Sequence, residues 1–222
     1  MKKLFLAIAC LVAAASLQAA DFFSTAAPSK YFGVGVRIGF NTSNSTMGKG
    51  PDLWNHSSWG TGFNAGVVAD ICIRDFIAIQ PGFFYQSRSN SYTYIWSHSA
   101  MPDEVVVGHT LNYTFQVPVV ASVRFNVTDN VRWSVDFGPT FSFGLGKSDK
   151  GKSFLPAESN FDDGYYDNRH KFEVGLKMGT GLNIFKHYYV GVHYVAGLRD
   201  VYKVKGFGGR NKTWSFVRGY DF

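Results

Sequence analysis

Side chains suited to nucleophilic chemistry are present but scattered. Ser142 could attack a carbonyl, His170 or His109 could take its proton, and Glu173 could orient the base. Together they would make a lipid- or peptide-modifying hydrolase or acyltransferase. They stand at suitable heights near strand ends, but such a site needs nucleophile and base within hydrogen-bond reach and a shared height is weak evidence of that, so no catalytic residue is assigned and the chain is not expected to be an enzyme. Metal chemistry has less support still. The histidines His56, His98, His109, His170, His187 and His193 show neither i,i+4 nor Cys–His spacing, so no metal and no cofactor is expected. GVGVRIG, beginning at Gly33, faintly resembles a dinucleotide loop, but its glycines alternate and no helix follows. The Asn-x-Ser/Thr triplets at Asn41, Asn126 and Asn211 fall at strand ends and are not read as glycosylation sites. More informative are Arg37, Asp70, Arg124, Arg132, Asp136, Glu173, Lys177 and His193, whose signs nearly balance and which share one side of the elements that carry them.

Those elements are strands. In residues 111–125 the positions Leu111, Tyr113, Phe115, Val117, Val119, Ala121, Val123 and Phe125 are all apolar or aromatic, and small or polar residues dominate between them. Residues 131–145 repeat the pattern. A period of two over this length puts one set on each face of a strand. Six further segments, at about 31–43, 60–73, 76–88, 171–185, 188–198 and 213–222, are long enough to cross a bilayer when tilted. Their connections alternate in length. Tight turns fall at Arg74-Asp75, Thr128-Asp129-Asn130 and Lys186-His187, whereas 44–59, 89–108, 146–170 and 199–212 are long and polar. This predicts an all-β, eight-stranded, antiparallel up-and-down transmembrane β-barrel with short periplasmic turns, long extracellular loops and both termini periplasmic.

The composition agrees. Of 222 residues, 17% are aromatic and only 17% charged. Residues 1–20 have a basic start at Lys2 and Lys3, an apolar stretch and small residues before the end, as a signal peptide does. Residues 21–30 are then a short periplasmic segment, and residues 31–222 the barrel. The formal charge of +6 includes those two lysines, and the +4 that remains is too scattered to argue for nucleic acid. Cleavage leaves Cys72 without a disulfide partner. A soluble up-and-down barrel would close its sheet equally well. It would not, however, need the row of small residues Gly33, Gly35, Gly39, Gly66, Gly82, Gly138, Gly175, Gly179 and Gly181 on its less apolar face, which suits a crowded lumen. Trp133, Tyr188 and Tyr220 near the short turns, with Tyr85, Tyr113 and Trp214 near the loops, suggest two interfacial girdles.

On this reading the charges enter the lumen and must pair. Strand direction places Asp70, Arg124, Arg132 and Asp136 in the half near the turns, and Arg37, Glu173, Lys177 and His193 in the middle and upper half. Arg124 and Arg132 face one another across a turn, so a carboxylate such as Asp70 or Asp136 must intervene. Balanced charge in so narrow a barrel favours a filled lumen over a narrow passive pore. Pro81, Pro118 and Pro139 each remove a ladder donor, so bulges or register shifts are expected there.

The segments YTFQVPVVASVRFNV, VDFGPTFSFGLGKSDK, KFEVGLKMGTGLNIF, HYYVGVHYVAGLRDV and SFVRGYDF resemble the PorT-type outer-membrane β-barrel domain family, most clearly over residues 113–222. The features shared are Val117-Pro118, the run from Gly138-Pro139 to Gly146-Lys147, and the closing Gly197-Leu198. The architecture is similar to OmpX/OmpA-like barrels of Gram-negative bacteria. The resemblance implies insertion by the barrel-assembly machinery, which reads a C-terminal aromatic, matched here by Phe222 with Tyr220, Phe216 and Trp214 on the same face. Arg218 departs from that aromatic face and would point toward lipid unless it snorkels or the strand is bulged. The resemblance implies a structural, adhesive or secretion-associated role rather than one activity. Contact with other molecules is then expected through the loop aromatics Trp54, Trp59, Trp96, Phe161, Tyr165 and Tyr166. Expected partners are outer-membrane lipid and lipopolysaccharide, the assembly machinery during biogenesis, and an extracellular or secretion-apparatus protein, for a monomer that binds no nucleic acid.

Overall fold

The computed structural model describes residues 23–45, 53–98, 101–153, 159–162, 170–201, 203 and 209–222. The predicted signal peptide, residues 1–20, lies outside them. In chain order the strands are β1 (Phe32–Ser45), β2 (Leu53–Arg74), β3 (Ile77–His98), β4 (Met101–Thr128), β5 (Val131–Ser153), β6 (Ser159–Asp162), β7 (Phe172–Ile184), β8 (Tyr188–Gly197) and β9 (Asn211–Asp221). All but β6 form a closed antiparallel ring of eight strands. Sequential neighbours pair, β5 pairs with β7, and β9 returns to β1.

The ring is inside-out relative to a protein that folds in water. Phe40, Phe63, Phe83, Phe137, Phe143 and Phe216 are exposed on its outer face, whereas Asn41, Asn64, Gln86, Thr110, Thr114, Asp136 and Thr140 are buried within it. So large an apolar surface is unstable in water but is what lipid requires. A closed ring also leaves no unpaired sheet edge in the hydrocarbon.

Turns fall at Asp75-Phe76, Asp129-Asn130 and residues 185–187, each within a residue of its predicted place. Phe185 and Lys186 have positive φ, 53° and 64°, as a tight hairpin demands. The expected proline bulges do not occur. Register is continuous past Pro81, Pro118 and Pro139, which leave gaps in the ladders without shifting them. The shifts lie instead between Trp59 and Asn64, Cys72 and Arg74, Tyr113 and Thr114, Trp96 and His98, and Asn126 and Thr128. A missing donor costs one hydrogen bond, whereas a shift would turn every later side chain to the wrong face.

The strands also outrun their predicted ends. β2 to β5 have 22, 22, 28 and 23 residues, against 14, 13, 10 and 11 for β1, β7, β8 and β9. Much of 44–59, 89–108 and 146–170, expected as loop, is therefore sheet. Pairs such as Leu53 with Trp96, Tyr94 with Val106 and Val106 with Ser153 carry β2 to β5 beyond the ring, and β6 adds to β5 there. Outside lipid both faces meet water, so the alternation of polarity fades while β-branched and aromatic residues still favour strands.

At the opposite end, the segment before β1 lies against the short turns. The ring of Phe23 is 4.4 Å from that of Phe76, and the Asp75 amide donates to the Ala26 carbonyl at 3.2 Å.

Candidate functional site

The inward side chains divide the lumen into three storeys. Nearest the short turns is a vestibule of about 1190 Å³. Arg124 there pairs with Asp70, which also accepts from Gln80 at 3.0 Å, and Arg124 reaches the Cys72 sulfur at 3.3 Å. Arg132 pairs with Asp75 at 3.0 Å and donates to Asn126 at 3.0 Å. The like charges of Arg124 and Arg132 thus have separate carboxylates. Arg37 pairs with Asp221 at 2.6 Å, and Asn183 donates to the same carboxylate at 2.6 Å. Lys30 reaches the Phe222 backbone oxygen at 2.5 Å.

Above the vestibule is a waist. A small cavity of about 30 Å³ lies there among Phe84, Pro118, Val120, Val68 and Val217 on the apolar side and Arg37, Asp136, Lys177, Tyr189 and His193 on the polar side. Asp136 accepts from Ser122 at 2.6 Å, lies 3.4 Å from the Tyr189 hydroxyl and 3.3 Å from His193 Nε2, and attracts Lys177. Tyr189 and His193 are 3.0 Å apart. The Arg37 guanidinium lies 4.2 Å from the centre of the Tyr189 ring, and Lys177 Nζ lies 5.2 Å from that of Phe84. The inward glycines make this possible. A Cβ at Gly181 or Gly191 would strike the Tyr189 ring, one at Gly179 the His193 ring, and one at Gly66 or Gly82 the Phe84 ring.

On the loop side, Glu173 joins Arg88 at 3.0 Å and accepts from Asn211 at 2.8 Å. Asn41 and Ser43 of β1 reach across β2 to the backbone oxygens of Ser87 and Ser89 in β3, at 3.0 and 2.9 Å.

The charges singled out in the sequence therefore all face the lumen, but two expected heights change. Asp136, expected in the half near the turns, stands at the waist beside His193, and Arg37, expected in the middle and upper half, spans waist and vestibule and bonds the end of β9, because β1 and β9 pair with Gly35 opposite Asp221. Four participants escaped notice. Asp75, Arg88, Asp221 and Tyr189 complete the network, and of these Tyr189 had a signal, since its spacing from His193 puts both on one face of β8.

The nucleophilic set is not assembled. His170 Nδ1 contacts Arg199 at 3.3 Å, His109 contacts Ser91 at 3.2 Å, and Glu173 is engaged with Arg88 and Asn211. Ser142 is buried and faces the lumen beside Glu173. Among the described residues no cluster of three potential metal ligands occurs.

Trp214, Phe216, Tyr220 and Phe222 are exposed on the outer face of β9, and Trp59 is exposed at the loop side. Trp54, Trp96 and Phe161 belong to strands, but their side chains lie outside the described ones; Tyr165 and Tyr166 lie outside the described residues altogether.

A sequence model of the outer membrane protein beta-barrel domain matches residues 18–203. No curated protein matches. Among solved structures, the chain is similar to Ail, the attachment invasion locus protein of Yersinia pestis, solved in complex with the heparin analogue sucrose octasulfate. Identity is 15%, coverage 87% of this chain and 100% of that one, and the TM-score 0.41. The corresponding figures for the outer membrane protein OprG of Pseudomonas aeruginosa are 8%, 90%, 98% and 0.42. For Neisserial surface protein A they are 13%, 85%, 97% and 0.39.

Proposed function

Because the chain belongs to the outer membrane protein beta-barrel domain family, and so to the bacterial outer membrane, we propose that it is a non-enzymatic barrel that acts through the surface beyond its loop-side rim. The observation that carries this is the sheet extension, in which β2 to β5 continue past the ring above a lumen whose waist packs Phe84, Pro118, Tyr189 and His193 around a cavity of about 30 Å³. Strands prolonged into water cost chain entropy and gain nothing from lipid, so the extension is best explained as a presented surface. The short turns and both chain ends then face the periplasm and the extension faces outward. The aromatics Trp54, Trp59, Trp96, Phe161, Tyr165 and Tyr166 supply contacts to an extracellular or secretion-apparatus protein. Exposed Lys171 and Lys212 lie at the level where lipopolysaccharide phosphates would stand. Trp214, Phe216, Tyr220 and Phe222 serve recognition by the assembly machinery, the lumen charges hold the interior filled, and within the wider family the chain sits nearest the PorT-type members.

The test is a photo-crosslinker at Trp59 in intact cells, with one at lipid-facing Phe137 as control. Trp59 is expected to give a discrete protein adduct that disappears when residues 146–170 are trimmed, while Phe137 gives none. Equal labelling from both sites would overturn the reading.

The vestibule motivates a second reading, a narrow passive pore. The waist argues for the opposite result in planar bilayers: no discrete conductance steps from the wild type or from Lys177→Ala. Steps that vanish on replacing Lys177 or Glu173 would establish the pore instead.

A further inference from the structure

Between the turns and the loop-side rim, Arg218 is the sole charged side chain among the described residues that points outward. Its flanks are apolar: Ile38 on β1 and Val190 on β8 stand opposite it in the two ladders, and Phe216 precedes it on the outer face of β9. Register is continuous along β9, so no bulge turns the guanidinium inward. No carboxylate among the described residues shares this face.

A guanidinium facing hydrocarbon needs a counter-charge and a way out of the apolar zone. The nearer exit is toward the short turns, where the next outward residues on β9 are Tyr220 and Phe222. Tyr188 stands opposite Tyr220, their rings 5.7 Å apart and edge to face, and the His187 ring stacks on Tyr220 at 5.4 Å. The long arginine stem can lie along this surface and deliver its head to the interface.

We propose that Arg218, with Tyr188 and Tyr220 beside it, forms a lateral site for the phosphate of a membrane lipid in the leaflet next to the short turns. The planar fork of a guanidinium matches two phosphate oxygens, and the phenols offer further donors at the level where lipid headgroups begin. A second copy of the chain fits less well. It offers no outward carboxylate among the described residues, and a two-fold contact through this face would oppose Arg218 to itself. The inference rests on the barrel lying in a membrane, but not on which way it points or on what its loops bind.

The test compares wild type, Arg218→Gln and Arg218→Lys, each purified as the folded barrel, exchanged into detergent with phosphatidylglycerol or diacylglycerol, and weighed intact by native mass spectrometry. Wild type is expected to retain phosphatidylglycerol about fivefold more than Arg218→Gln, with Arg218→Lys between them, as loss of a charge-assisted bidentate contact implies. Diacylglycerol, which lacks the phosphate, should be retained equally and weakly by all three. Equal retention of phosphatidylglycerol by wild type and Arg218→Gln, or diacylglycerol held as firmly, would overturn the site. A disulfide between copies carrying Arg218→Cys in native membranes would do the same by placing a second chain there. Unheated samples report on the barrel separately: a wild type that migrates on a detergent gel as an unfolded chain would refute the membrane barrel itself.

Discussion

Replacing Asp136 with Ala is expected to remove about 3–5 kcal/mol of stability, the range for breaking a buried charge pair on one side only. Asp136 is 3% exposed and lines the small cavity at the waist. It accepts from Ser122, lies within reach of Tyr189 and His193, and attracts half-buried Lys177. Its loss strands a cation and several donors together. Urea unfolding of the barrel in lipid vesicles, followed by tryptophan fluorescence, measures the change. The double replacement Asp136→Leu with Lys177→Met should recover most of it, because an apolar pair needs no compensation. Asp75→Asn, whose partner Arg132 is 34% exposed, should cost less than about 1 kcal/mol, since water already screens that pair. Equal midpoints for wild type and Asp136→Ala would show that the waist is held by packing alone.

Gly62→Ala should cost about 3 kcal/mol, at the upper end of overpacking effects, although it adds one methyl group. A Cβ there would fall on the Ser87 carbonyl oxygen and crowd the Asn41 side chain. Gly60 meets the Ser89 carbonyl in the same way. These two glycines let the backbone of β3 lean over β2 at the bulge between Trp59 and Asn64, so that Asn41 and Ser43 can bond it from β1. The atom met first is backbone at both glycines, and backbone cannot swing aside as a side chain can. Gly33→Ala is the control, because its Cβ would meet only the Asp70 Cβ at 3.7 Å. The fraction of protein that runs as the compact form on an unheated detergent gel should fall sharply for Gly62→Ala and stay at the wild-type level for Gly33→Ala. Equal fractions would mean that β3 can retreat at little cost.

The difference between these glycines marks how far the sequence could be read. Alternation over residues 111–125 and 131–145 tells which side chains face inward, because lipid and lumen impose opposite chemistries on the two faces. It therefore points to the closed ring and to lumen positions such as Arg124 and Asp136. Partners across the lumen are another matter. Arg88 meets Glu173, and Arg37 meets Asp221, at heights set by strand tilt and by the register of strands far apart in sequence, and a period of two carries neither quantity. Phe84 shows a nearer miss. Of the consecutive Phe83 and Phe84 one must face each way, yet only the structure shows that the inward ring is accommodated by Gly66 and Gly82. The prolonged strands were illegible for a simpler reason: beyond the rim no boundary between lipid and lumen remains to write a pattern.

The meeting of β1 and β9 has a kinetic consequence. The hairpins β2–β3, β4–β5 and β7–β8 zip locally, but this seam joins residues about as far apart as the chain allows, so loop-closure entropy makes it the last to form. Gly35, Gly39 and Gly219 crowd its inner side: a Cβ at Gly39 or Gly219 would strike a backbone oxygen of the facing strand, and one at Gly35 would strike the Asp221 carboxylate and the Arg37 guanidinium. Bare glycine edges slide easily and specify register weakly. The Arg37–Asp221 ion pair within and the stacked rings of Phe40 and Phe216 without, 4.9 Å apart, then act as a two-point latch that stops the sliding edges at the native alignment.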